Sequence, residues 1–514
     1  MFAKTYGAAT LGVNGVLIDA EVDVSNGFPA FDVVGLLDTA VKESKERVRT
    51  AIKNSGVTLR QQKVTINLAP ADIRKDSPGL DLPIAVGLLI AYGILPQQAA
   101  EGSLFAAELS LEGELRGVRG ILPMAVHAKE QGISRFFVAR ENANEALLVG
   151  GLQVYAVTNL AEIIAFLSGR KQMEPAKASE TPHQRTFFGA EDFSDVEGQF
   201  FAKRAMEIAA AGGHNVLLAG VPGAGKTMLA RRLPTILPAM TREEALEVTK
   251  IYSIAGLLHQ GGGLMTERPF RSPHHTTSAA ALIGGGSVPR PGEVTLSHNG
   301  VLFLDELPEF GKTVLEVLRQ PLEDGKVTVA RVNATLTFPA RMLLVAAMNP
   351  CPCGWNGDSR HACSCTPSEI KRYTRRISGP LLDRIDLHIR MPRVEYKDLA
   401  SEKKGERSAA IRERVTAARE RQTARLRNYP IYCNAQMSHA MLETMCPLTQ
   451  GAKTLLEAVF RKMDLSARSY DRIIKVARTI ADLDGSEGLQ ERHVAEAIQL
   501  RNDIGLEPSG RAGE

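Results

Sequence analysis

The chain of 514 residues carries 62 Lys and Arg against 58 Asp and Glu, a net charge of only +4, so no global basic field announces nucleic acid and any such contact must be local. Six cysteines in a chain this long do not make a secreted disulfide framework, and no apolar run reaches the ~20 residues of a membrane span. Met1-Phe2-Ala3-Lys4-Thr5 opens without a signal-peptide core, and a cytoplasmic protein of roughly three domains, with no membrane contact, is the expectation.

Residues 1–169 alternate short β-rich runs with helical ones, an α+β pattern. Val64 to Leu68 reads as a strand, and Thr39 to Ile52 and Leu82 to Tyr92 read as helices. The stretch from Arg170 to Gln184, rich in Lys, Pro, Ser and Glu, has little to bury and marks a linker over 170–190. Residues 191–392 follow an α/β pattern. Residues 393–514 are helical: Ile411, Val415, Ala418, Gln422 and Leu426 recur at helical spacing, and Gly451 to Arg501 reads as a small bundle.

The chemistry begins at Gly220-Val221-Pro222-Gly223-Ala224-Gly225-Lys226-Thr227, which matches G-x-x-x-x-G-K-[ST] at every defined position. The apolar run Asn215 to Ala219 precedes it and the helical Met228 to Arg232 follows, the strand–loop–helix setting that the motif needs. Glycines let backbone N–H groups turn toward phosphate oxygens, Lys226 would reach the β/γ-phosphates and Thr227 would hold Mg²⁺. Downstream, Val301-Leu302-Phe303-Leu304 is an apolar strand ending in Asp305, suited to a Mg²⁺ contact, and Glu306, suited to polarising an attacking water. A further strand, Met342 to Met348, ends at Asn349, which can orient that water or open a turn before Pro350.

Cys351-Pro352-Cys353 and Cys363-Ser364-Cys365 bracket a loop rich in Gly, Asn, Asp and His. Four thiolates in a reducing compartment point to structural Zn²⁺. The C-x-C spacing and the nearby His361 leave open a different ligand set, and also a metal-free cluster of reduced thiols. Lys326 to Thr337 reads as a hairpin around Asn333-Ala334.

The order of phosphate loop, Leu-Asp-Glu strand, Asn-tipped strand, Leu381-Leu382-Asp383-Arg384-Ile385-Asp386 and helical lid resembles the AAA+ ATPases, and the overall class is multidomain α/β. Arg268-Pro269-Phe270-Arg271-Ser272-Pro273-His274-His275-Thr276-Thr277 and Gly292 to Gly300 resemble the magnesium-chelatase-like branch, within it the ComM/YifB group, over nearly the whole chain. The resemblance implies ATP and Mg²⁺ as cofactors and a homo-oligomeric ring, a hexamer. It implies Arg384 as an arginine finger reaching a neighbour's site, where a surface pairing with Asp383 or Asp386 is the alternative. It implies Arg468 as the lid arginine at the γ-phosphate, with Arg472 the alternative one helical turn on. It turns the 326–337 hairpin toward a pore, with Lys326 and Arg331 as DNA phosphate contacts, or else leaves it a solvated structural hairpin. Ala279 to Arg290 would be a second pore loop or a plain linker.

Arg74-Lys75-Asp76-Ser77-Pro78-Gly79-Leu80-Asp81 is similar to the nucleophile loop of Lon-type peptidases, but Gly79 stands where the catalytic Ser belongs. No Lys occurs in Gly120 to Met124, where its partner would fall. Peptidase activity is therefore not expected. The resemblance implies an ATP-driven branch-migration helicase acting on DNA in recombination during natural transformation; a remodeller of a protein complex, of the chelatase type, is the alternative. The fused N-terminal domain favours the former, since the chelatase motor is not expected to share it.

Overall fold

The computed structural model describes residues 1–36, 38–75, 77–177, 191–258, 263–286, 289–331, 334–394, 405–463 and 466–502. Most of the expected linker, Asp76 and the hairpin residue Asn333 lie outside these. The described chain divides into two compact units: Met1–Arg185 with Arg242–Met265, and Thr186–Thr241 with Thr266–Glu514.

The first unit is built on a seven-stranded mixed sheet. Strands β1 (Phe2–Leu11) and β2 (Asn14–Ser25) pair antiparallel with Leu11 opposite Asn14. The tight turn between them uses Gly12 at φ 63°, a left-handed angle that glycine adopts without strain. With β3 (Ala30–Val34), β4 (Lys63–Ala69), β5 (Ser103–Ala106), β6 (Arg135–Ala139) and β7 (Gln153–Val157), the order is β3-β4-β2-β1-β5-β6-β7. Helices α1 (Thr39–Asn54), the wholly buried α2 (Asp81–Ala91) and α3 (Ile121–Glu130) pack on it. The apolar sequence of α2 has no polar face to offer water, so the helix is buried all round. The expected strand and both expected helices of this region form within about two residues of the anticipated ends. The helix Arg242–Ala255 belongs to this unit, although it lies within the α/β stretch of sequence. Its Ser253 hydroxyl donates to Glu145, whose carboxyl burial pushes above its ordinary range.

The second unit contains α4 (Phe200–Gly212), β8 (Val216–Gly220), α5 (Lys226–Ile236), β9 (Phe270–Arg271), β10 (Val301–Leu304), β11 (Lys326–Arg331), β12 (Ala334–Pro339), β13 (Leu343–Met348), α6 (Pro367–Thr374) and β14 (Leu387–Met391). Five of these strands form a parallel sheet in the order β9-β10-β13-β8-β14. Every residue of β8, β10 and β13 is buried, which is why they read as unbroken apolar runs rather than alternating ones. The chain reverses its lateral direction around β8, and such a switch point opens a crevice at the carboxyl ends of the strands.

Helices α7 (Ser408–Leu426), α8 (Gln450–Met463), α9 (Ala467–Leu483) and α10 (Glu491–Asn502) complete the unit. Ile411, Val415, Ala418, Gln422 and Leu426 are all buried on one face of α7, as their spacing anticipates. Residues of α7, α9 and α10 share one continuous apolar core with the sheet.

Candidate nucleotide site

Three strand ends meet at the carboxyl edge of the second sheet. Ala219 of β8 pairs with Met348 of β13, and Ala346 of β13 with Leu304 of β10. The register therefore brings the loop after Gly220, Asn349 and the pair Asp305-Glu306 side by side. Gly223 and Gly225 hold φ of 78° and 88°, angles that strain any side chain, and Gly225 leads into the first turn of α5. Lys226 is buried, and its Nζ donates to Gly220 O (2.6 Å), Val221 O (3.1 Å) and Asn349 Oδ1 (3.1 Å). Burial lowers its ammonium pKa, against the charges of Asp305 and Glu306. Thr227 Oγ1 donates to Asp305 Oδ2 at 2.7 Å.

Glu306 lies in the left-handed region at φ 52°, shared among described non-glycine residues only by Gln199 and Asn299. That conformation costs about 1–3 kcal/mol and concentrates at functional positions. It turns the carboxylate out of the strand, 3.4 Å from His275 Nδ1. His275, its ring 4.1 Å from that of His274, is a residue that motif spacing did not single out for a role. The signal lay in the Arg268–Thr277 block, but nothing local ties that block to Glu306. Gln199 was also missed; its Nε2 donates to Ala224 O (3.2 Å) and Pro392 O (2.7 Å), bracing the phosphate loop.

The two arginines stand elsewhere. Asn215 precedes β8, at the end remote from the phosphate loop, and its Nδ2 donates to Arg384 O at 3.1 Å. At ~3.3 Å per residue, β8 separates Arg384 from the loop of its own chain by about 15 Å. Arg384 is largely buried; Nη1 donates to Pro380 O (2.7 Å), Nη2 pairs with Glu323, and its buried Nε has no hydrogen-bond partner. Its acid is thus neither Asp383 nor Asp386, because Asp386 is taken by Arg472 and by the backbone N–H of Asn215 (3.1 Å). That pairing occupies Arg472, whereas Arg468 is exposed in the first turn of α9. The hydrogen bond from Arg384, followed by the charges of Arg384, Arg468 and Arg472, holds the Glu323 carboxyl below its usual range despite desolvation.

The hairpin forms with Lys326 opposite Pro339 and Arg331 opposite Ala334, and the expected turn residue Asn333 lies outside the described residues. Val327 and Val329 are buried on one face while Lys326 is exposed; the side chain of Arg331 lies outside the described residues. Ala279 to Arg290 is no bare linker. Ser278 caps the helix Ala279–Ile283, and Gly284-Gly285 pairs with Arg290-Pro291.

The four cysteines of the two C-x-C pairs converge, all sulfurs within 4.8 Å of one another. His361 is not among them: its Nδ1 lies 2.9 Å from Asp358 Oδ2 and its ring stacks 4.4 Å from that of Trp355. Backbone N–H groups, that of Trp355 foremost, draw the Cys353 thiol down to about 5. In the first unit, Ser77 Oγ accepts from Gly79 N at 3.1 Å, and Lys75 turns its Nζ onto Pro70 O. A Cβ on Gly79 would lie 3.1 Å from Ser77 Oγ and 3.3 Å from Val118 Cγ2, so the position of the missing nucleophile is already tightly packed. Ile121 to Met124 are buried in a helix.

Comparison with known proteins accords with this geometry. Family models described as "Magnesium chelatase, subunit ChlI", "Subunit ChlI of Mg-chelatase" and "Magnesium chelatase, subunit ChlI C-terminal" match residues 192–399, 20–142 and 405–501. Competence protein ComM of Haemophilus influenzae is 43% identical over 98% of this chain and 98% of its own. YifB of Escherichia coli, an uncharacterised protein, is 43% identical over 96% of each chain. The magnesium-chelatase 67 kDa subunit of Chlorobaculum parvum is 29% identical over 31% of this chain and 23% of its own. Among the described residues no helix is long and apolar enough to cross a membrane.

Proposed function

The chain belongs to the magnesium chelatase ChlI family, in the group of ComM and YifB, and from that premise we propose that it is an AAA+ ring ATPase that drives branch migration of DNA. The observation that carries this reading is the division of one catalytic set between two ends of a parallel sheet. Lys226, Thr227, Asp305, Glu306 and Asn349 sit at the carboxyl edge, Arg384 and Arg468 at the other. A chain with complementary halves on opposite ends is completed by an identical neighbour placed head to tail, and a closing series of such contacts is a ring. The number six rests on the family resemblance alone.

Lys226 would exchange its carbonyl partners for β/γ-phosphate oxygens of ATP. Thr227 Oγ1 and Asp305 Oδ2 are oxygen donors that would hold Mg²⁺, which would supply charge neutralisation at those phosphates. Glu306 accepts the proton of the water that attacks the γ-phosphorus, and Asn349 orients that water. Arg384 of a neighbour then stabilises the charge as ADP leaves, with Arg468 beside it. Lys326 and Arg331 would contact the DNA backbone from the hairpin. A structural Zn²⁺ held by Cys351, Cys353, Cys363 and Cys365 completes the cofactors. The N-terminal unit is read as a Lon-like platform without peptidase chemistry, consistent with Gly79 at the position of the Ser and with no Lys in Gly120 to Met124.

The match of a ChlI model to residues 20–142 removes the N-terminus as a reason to set the chelatase-type remodeller aside. What favours DNA is coverage: the relative named a competence protein spans the chain, the one named a chelatase subunit less than a third of it. The test is ATP turnover and branch migration on forked and four-way junctions, with salt titration. DNA should stimulate turnover, and binding should weaken steeply as salt rises. Glu306→Gln should lower kcat by about 10²–10⁴-fold with ATP still bound. Turnover indifferent to DNA would sink the DNA motor.

A further inference from the structure

The cysteine cluster adjoins the nucleotide site at three places. Cys351 lies two residues beyond Asn349, whose Oδ1 accepts from Lys226 Nζ. Gly354, inside the cluster's loop at φ 86°, lies against the phosphate loop so closely that a Cβ there would stand 2.8 Å from Pro222 Cγ. Beyond Cys365, Thr366 and Glu369 form a capping box that starts α6, and the buried Tyr373 of that helix lies near the Asn349 backbone. The loop is therefore fixed at its start, its middle and its end to the residues that face ATP.

The sulfurs are arranged for a cation. Cys351 and Cys353 Sγ are 3.4 Å apart, and Cys363 Sγ lies 3.6 Å from each. Four sulfurs about 2.3 Å from a tetrahedral Zn²⁺ stand roughly 3.8 Å apart, whereas a disulfide needs about 2.05 Å. All four cysteines are free. Backbone N–H groups of Cys353 and Asn356 reach Cys365 Sγ (3.4 Å) and Cys351 Sγ (3.3 Å), a pattern that supports negative sulfur.

We propose that Zn²⁺ on Cys351, Cys353, Cys363 and Cys365 acts as a staple that holds Asn349 and the phosphate loop in register, so that metal occupancy sets the affinity for nucleotide. This deepens the ATPase reading and rests on it. As four Zn–S bonds form, the protons still carried by the thiols pass to solvent and no electron moves, leaving a dianionic centre. The four ligands fill the coordination shell, so the ion has no catalytic position to offer.

The test uses the full chain in the absence of DNA. Reconstituted with Zn²⁺ and freed of excess, it should hold about one equivalent by elemental analysis, with four sulfurs at about 2.3 Å by X-ray absorption. Less than about half an equivalent overturns the metal site. Cys363→Ser with Cys365→Ser should lose the metal and weaken binding of a fluorescent ATP analogue about tenfold or more. Unchanged affinity in this zinc-free variant overturns the staple. Should the variant misfold, the wild-type chain stripped by a chelator answers instead: affinity should fall and return on adding Zn²⁺ alone, and an affinity indifferent to stripping overturns the proposal. A zinc-replete wild type that binds no analogue overturns the phosphate-loop reading and the staple with it, a result distinct from loss of zinc.

Discussion

Glu306 and Gly354 show how single backbone positions set the chemistry. The carboxylate of Glu306 is exposed at the end of a buried strand, and the left-handed angle of that residue directs it toward His275. His275→Ala should lower kcat about tenfold while leaving nucleotide affinity unchanged, because it removes an orienting contact rather than a ligand; steady-state turnover beside equilibrium binding separates the two. Gly354 serves a close approach instead. A methyl group there meets the Pro222 ring at a backbone angle already strained for any side chain. Gly354→Ala should therefore destabilise by about 1–3 kcal/mol in chemical denaturation and weaken ATP binding with it.

At the scale of elements, Asp386 ties β14 to β8 through the Asn215 N–H and ties both to α9 through Arg472. Burial alone would push its carboxyl up; Arg472 and then His214 outweigh that and hold it far below the ordinary range. A carboxyl depressed in the folded state contributes stability that is complete above its unfolded value near 4 and lost as pH falls below it. Asp386→Asn should cost roughly 2–3 kcal/mol at neutral pH, since Arg472 keeps a solvent-facing edge, and the loss should shrink in denaturation curves taken toward pH 2. A second link joins Arg384 to the hairpin, because its partner Glu323 lies in the short helix Arg319–Asp324 that leads directly into β11. If Arg384 serves a neighbour, Glu323→Gln frees it, and the expected outcome is faster ATP turnover without DNA and a smaller stimulation by DNA.

On the proposed reading, a ring brings together what no single chain completes. Lys226→Ala subunits keep Arg384, and Arg384→Ala subunits keep the phosphate loop, so mixing the two inactive variants should restore part of the turnover in rings of mixed composition. No recovery with ring assembly intact would remove the shared site.

The sequence by itself determined the candidate nucleotide site. A phosphate loop between strand and helix, a strand ending in Asp305-Glu306 and a strand ending in Asn349 are local patterns, each written within about a dozen residues whose spacing follows from backbone geometry. The buried stripe of α7 was legible for the same reason. Only the tertiary structure decided that Arg384 stands at the far end of the sheet and is held by Glu323, 61 residues away in sequence, rather than by an adjacent aspartate. It likewise decided that Arg242–Met265 joins the first unit, that the four sulfurs meet without His361, and that Gly354 bears on Pro222. These depend on close packing and charge pairing between segments distant in sequence, and a hydrophobic period states which face is buried but not what is buried against it.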